Sequence, residues 1–196
     1  MNANYRLQIS WSNEYQQAVL QTAEQTNADM IVVPVRERPR SGPFKFSDAK
    51  WALLRGAPCP VMIAQPGSKP RREVVLAAVH AQGNESSYKA LNETIINAGK
   101  FISEMHGATL HLVNAYTDQE DYPDRARLVR ISELPNEQIH SESGEPDEVI
   151  AKVAKQIGAD VVVLATRRRN GLATSMRGNT SERVIQALEA DVLTVN

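Results

Sequence analysis

The apolar positions of this chain fall into two patterns. Short continuous runs, Val74–Val79, Thr109–Ala115, Asp160–Ala165 and Val192–Val195, read as strands buried on both faces. Between them, apolar residues recur at helical steps. Tyr88, Leu91, Ile95, Ala98, Ile102 and Met105 mark one face of a helix of about five turns, ended by Gly107. Ile150, Val153, Ala154 and Ile157 mark a second helix, with Pro146 in its first turn, Asp147 and Glu148 complementing its dipole, and Gly158 after it. A brief helical pattern surrounds Arg127–Leu134, Ile139 marks a short strand, and Thr180-Ser181-Glu182 opens the last helix. Strands alternating with helices predict an α/β unit on a parallel sheet. On such a sheet ligands sit beyond the C-terminal strand ends. That places a candidate site around His80, Tyr116 and 166–178.

The pattern also repeats. Glu14–Gln65 lies without a gap on Glu145–Asn196, a shift of 131 positions. Ala28-Asp29 falls on Ala159-Asp160, Met30–Val33 on Val161–Leu164, and Val61–Ala64 on Val192–Val195. A period of this size marks a duplicated domain rather than a solenoid. Only thirteen residues precede Glu14, so the first copy is the C-terminal half of a unit and the second is whole. The expected division is 1–66 for the half unit, 67–72 for a Pro- and Gly-containing exposed linker, and 73–196 for the full unit.

Composition narrows the function classes. Of 196 residues, 42% are hydrophobic and the net charge is −1, so the chain as a whole is no polyanion binder. Basic residues dominate 36–72, whereas Thr117–Glu148 holds ten acids against three arginines. Two solvated faces account for this; the sharper alternative is that the faces meet, within the chain or between chains. No aromatic-plus-basic motif accompanies the basic stretch, so no specific nucleic acid is expected. The chain has no transmembrane-length apolar run and no signal-peptide pattern, which predicts a cytoplasmic protein without membrane contact.

Candidate chemistry is sparse. In Thr166–Arg183, Gly178-Asn179-Thr180 meets a helix start, where free N–H groups favour an anion, and Arg167 and Arg168 could add charge. A capped helix beside solvated arginines explains the same residues. The four histidines, His80, His106, His111 and His140, show no metal-ligand spacing and read as surface or packed side chains. Cys59 reads as a small apolar residue entering a strand. No nucleophile or metalloprotease motif is present, so no enzyme is expected.

Several of these segments resemble the universal stress protein domain. They are Val75–Val79, Gly144-Glu-Pro-Asp-Glu-Val-Ile150, Ala159–Thr166, Gly178-Asn-Thr-Ser-Glu-Arg-Val184 and Asp191–Val195. Asp48–Val61 is similar to the end of the first domain in tandem, E-type members. The resemblance implies an open parallel five-stranded sheet flanked by helices, of the adenine nucleotide alpha hydrolase-like type and strand order 3-2-1-4-5. It also implies association of domains through their last strands, and a non-catalytic stress-response role.

One branch of the family binds ATP through Gly-x2-Gly-x9-Gly followed by Ser or Thr. Those positions are Ala165, Arg168, Gly178 and Asn179, of which only Gly178 matches, and His80 replaces the usual acid of the first strand. No cofactor is therefore expected, with ATP or AMP at His80, Ala165, Arg167, Arg168, Gly178, Asn179 and Thr180 as the alternative. In this order, residues 1–66 would keep strands 3, 4 and 5 and lack the two between. Ile31–Pro34 would then have an unpaired edge. The expectation is self-association, by pairing within the chain or as a homodimer, or else a truncated form of a longer chain.

Overall fold

A computed structural model of the chain describes residues 4–35, 47–82, 86–118, 120, 122–166 and 180–195. The elements are α1 (Tyr15–Thr26), β1 (Ile31–Pro34), α2 (Asp48–Gly56), β2 (Val61–Ala64), β3 (Val74–Val79), α3 (Ser86–His106), β4 (Thr109–Tyr116), α4 (Arg125–Ser132), β5 (Ile139–Ser143), α5 (Pro146–Ile157), β6 (Val161–Ala165), α6 (Thr180–Ala187) and β7 (Asp191–Val195). The seven strands form one sheet in the order β1-β2-β7-β6-β3-β4-β5.

From β5 to β7 every pairing is parallel, which is the predicted five-strand order. β1 and β2 are also parallel to each other. β2 meets β7 antiparallel, with Met62 opposite Leu193, and the Thr194 hydroxyl donates to the Val61 carbonyl at 3.2 Å. β2 and β7 therefore join antiparallel within one chain.

Each face of the sheet carries its own core. On one, Trp51, Leu53 and Leu54 of α2 and Val149, Ile150 and Val153 of α5 pack with Val184 and Ile185 of α6 against Ile63, Leu76 and Val162. On the other, Ile95, Ile96 and Ile102 of α3 and Leu128 of α4 cover Val75, Ala77, Leu112 and Val163. Close approach of α3 to the sheet depends on Gly99. A Cβ there would lie 2.9 Å from Leu110 Cδ1 and 3.4 Å from Ala77 Cβ. The apolar stripe of α3 stops short of the predicted end: Met105 is 62% exposed.

One expectation is corrected. Among the described residues, 4–14 form no strand, so β1 and β2 are the strands of the N-terminal part. The third strand of a 3-2-1-4-5 sheet needs the second as its hydrogen-bond partner, and no counterpart of β4 stands beside this segment among the described residues. The 66–72 stretch is largely exposed and also anchored. Its residues 66–71 are exposed, but Asp191, 1% exposed, accepts from the Gln65 N–H at 2.7 Å, the Ser68 hydroxyl at 2.5 Å and the Arg72 guanidinium.

β1 ends the sheet, and its edge is guarded. Ile31 and Val35 donate to the Pro60 and Ala64 carbonyls of the β2 side, so Val32 and Pro34 turn their backbones outward. Pro34 has no N–H, and its carbonyl accepts from Lys50 Nζ at 3.1 Å. A proline and a lysine on the outer strand discourage open-ended strand addition.

Candidate functional site

β3 and β6 lie side by side with their C-terminal ends at the same edge of the sheet, next to the reversal in strand order. Beyond those ends lies a cavity of about 580 Å³, walled by His80 and Tyr88, by Ala165 and Thr166, and by Thr180 and Ser181, among others. Small-molecule sites fall in this size range and at this place on α/β sheets.

His80 is fixed by its own backbone. Its N–H donates to Asn92 Oδ1 at 3.0 Å, and its carbonyl accepts from Asn92 Nδ2 at 2.7 Å. The imidazole rests on the Tyr88 ring with centroids 4.2 Å apart. Asn92 is buried, so this pair of bonds fastens the end of β3 to α3. On the opposite wall the Ser181 hydroxyl donates to the Ala165 carbonyl at 3.0 Å, tying the start of α6 to the end of β6.

Of the predicted residues, His80, Ala165 and Thr180 therefore line one cavity. Arg167, Arg168, Gly178 and Asn179 lie outside the described residues. Tyr116 is not on the cavity wall and meets Tyr122 edge-on at 5.3 Å. The periodicity also missed three wall residues, Trp51, Leu54 and Arg55, because they come from α2, far upstream. Arg55 Nη1 lies 2.9 Å from Glu182 Oε1 on α6. The helical spacing of Trp51, Leu54 and Arg55 was available in the sequence, but which helix they would face was not.

A second cavity, of about 620 Å³, lies by the linker at the opposite, N-terminal ends of β6 and β7. Four of its charged groups are paired, Arg72 with Asp191 and Lys69 with Asp160. Cys59 packs beside the first core, and burial together with the Asp29 carboxylate pushes its thiol pKa up, which disfavours a nucleophilic thiolate. Among the described residues no three His, Cys, Asp or Glu side chains gather into a metal cluster. No helix among them is long and apolar enough to cross a membrane.

Comparison with known proteins agrees with this architecture. The Universal stress protein E of Escherichia coli K12 is 30% identical over the whole chain, which covers 70% of that protein. The Universal stress protein E homolog of Haemophilus influenzae is 27% identical over 94% of the chain and 67% of its own length. A crystal structure of a functionally unknown protein from Pseudomonas aeruginosa PAO1 superposes with a TM-score of 0.75 at 28% identity, covering 94% of this chain and 69% of that one. A universal stress protein from Archaeoglobus fulgidus, 20% identical, shares the fold with a TM-score of 0.69 over 92% of this chain and 66% of that one. The model of the Universal stress protein family matches residues 8–65 and 126–196. With more than half of its residues so matched, this chain belongs to the universal stress protein family.

Proposed function

We propose that the protein serves the cellular stress response, which family membership implies, as a non-enzymatic cytoplasmic protein that acts by association with a second copy of itself. In this reading 1–66 is the half unit and 73–196 the whole one, in the tandem E-type arrangement. The observation that carries association is the segment before α1. Tyr5, Leu7, Ile9 and Trp11 alternate as in a strand and are 94%, 80%, 70% and 98% exposed. Single exposed apolar residues are ordinary; four in strand alternation are a surface that lacks a cover. Val32 of β1 is also exposed, at 60%.

A second copy is the favoured occupant. With a net charge of −1 the chain has almost no self-repulsion to overcome. Reciprocal contacts also bury both apolar segments in one closed, two-fold interface. The guarded edge of β1 favours such a closed pair over a growing fibre. Light scattering on the wild type and on a Leu7→Ser/Trp11→Ser variant tests this: the wild type associates and the variant does not.

A second reading is supported by the cavity of about 580 Å³ at the ends of β3 and β6. There the protein is a sensor of ATP or AMP, held by Thr180, Ser181 and the 167–179 segment. Thermal melting with MgATP and with AMP separates the two. A rise abolished by Gly178→Trp favours the sensor; no rise with either nucleotide removes it.

A further inference from the structure

The histidine pair on β4 and β5 has no part in the readings above. His140 is in register with Val113, and His111 stands two residues before Val113, so both imidazoles emerge on the same sheet face. Val113 packs there with Val149 and Val153 of α5. His111 Nδ1 lies 3.1 Å from His140 Nε2, and the rings stack with centroids 5.3 Å apart and planes at 26°. Both residues are half-buried on the outermost pair of strands, β5 being the end of the sheet.

We propose that His111 Nδ1 and His140 Nε2 together bind a borderline divalent transition-metal ion of the Zn²⁺, Ni²⁺ or Cu²⁺ class. Such ions bond imidazole nitrogen at about 2.0–2.1 Å. With both bonds at that length, nitrogens 3.1 Å apart subtend roughly 95–100° at the metal, between octahedral and tetrahedral values. Hard cations such as Mg²⁺ prefer oxygen and would not be held.

The protonation state also suits a ligand pair. Burial, then the neighbouring His140, lowers the His111 pKa. For His140 burial lowers it most; Glu142 opposes and Arg125 adds to the lowering. Neutral rings have one lone pair each to give; when a metal enters, the proton between the two nitrogens moves to the far nitrogen of its own ring, so both facing nitrogens are free to bind it. Glu142, two residues past His140 on the same face, is held by Lys152 at 2.5 Å, so water completes the coordination.

The test is thermal melting of the untagged protein at neutral pH with Zn²⁺, Ni²⁺ or Mg²⁺, alongside His140→Gln, His111→Gln and His106→Gln. A rise with Zn²⁺ or Ni²⁺ but not Mg²⁺, lost in the first two variants and kept in the third, is the expected result. No rise in the wild type, or a rise that survives His140→Gln, overturns the site. Should those variants fold poorly, ring-proton resonances of the wild type decide the matter. Zn²⁺ must shift those of His111 and His140 and leave His106 in place; the opposite pattern refutes the pair.

Discussion

Arg55 Nη1 on α2 stands 2.9 Å from Glu182 Oε1 on α6, and this contact ties the N-terminal part of the chain to the wall of the cavity. The side chains are 40% and 24% exposed, so solvent screens the pair. Arg55→Ala should cost less than about 1 kcal/mol in urea denaturation. Trp51→Ala, which empties a buried site on the same helix, should cost about 3–5 kcal/mol. Equal losses would mean that the helices are joined by charge rather than by packing.

Asp191 is the opposite case. It is buried at the start of β7 and collects three donors from Gln65, Ser68 and Arg72. Asp191→Ala leaves the Arg72 guanidinium, 17% exposed, without its partner and frees the Gln65 N–H. The expected loss is about 3–5 kcal/mol by chemical denaturation. A loss below about 1 kcal/mol would show that the linker is not held by this carboxylate.

Acid should weaken the protein partly through Asp160. Partial burial pushes its pKa up, but the Glu73 and Val74 N–H groups and the Lys69 ammonium outweigh that and hold it below the usual value. A carboxyl with a lowered folded pKa adds stability above its unfolded pKa of about 3.9, and that stability is lost as pH falls through the folded pKa. Asp160→Asn should therefore destabilise at neutral pH and flatten the acid side of the stability profile. A profile parallel to the wild type down to low pH would contradict this.

The strands and helices of the C-terminal part were legible because its strands are continuous apolar runs, such as Val74–Val79, and its helices carry regular stripes, such as Ile150, Val153 and Ala154, whereas the strand order came from the family resemblance. Local pattern did not reveal partners. Residues 4–14 alternate like a strand yet pair with nothing described. His111 and His140, 29 residues apart, meet only because β4 and β5 are neighbours in register. Likewise Trp51 and Arg55 reach the cavity only because β2 joins β7 antiparallel and brings α2 beside α6. His80 and Thr180 could be placed near the cavity from the sequence because strand ends and helix starts are written there, and Ala165 through the family motif.

The central claim is association of two copies through the apolar segment before α1. Sedimentation velocity on the untagged chain across a range of concentrations tests it most directly. The account predicts a species of about twice the 21.7 kDa chain mass, reverting to the monomer in the Leu7→Ser/Trp11→Ser variant. A wild-type chain that stays monomeric at every concentration would contradict it.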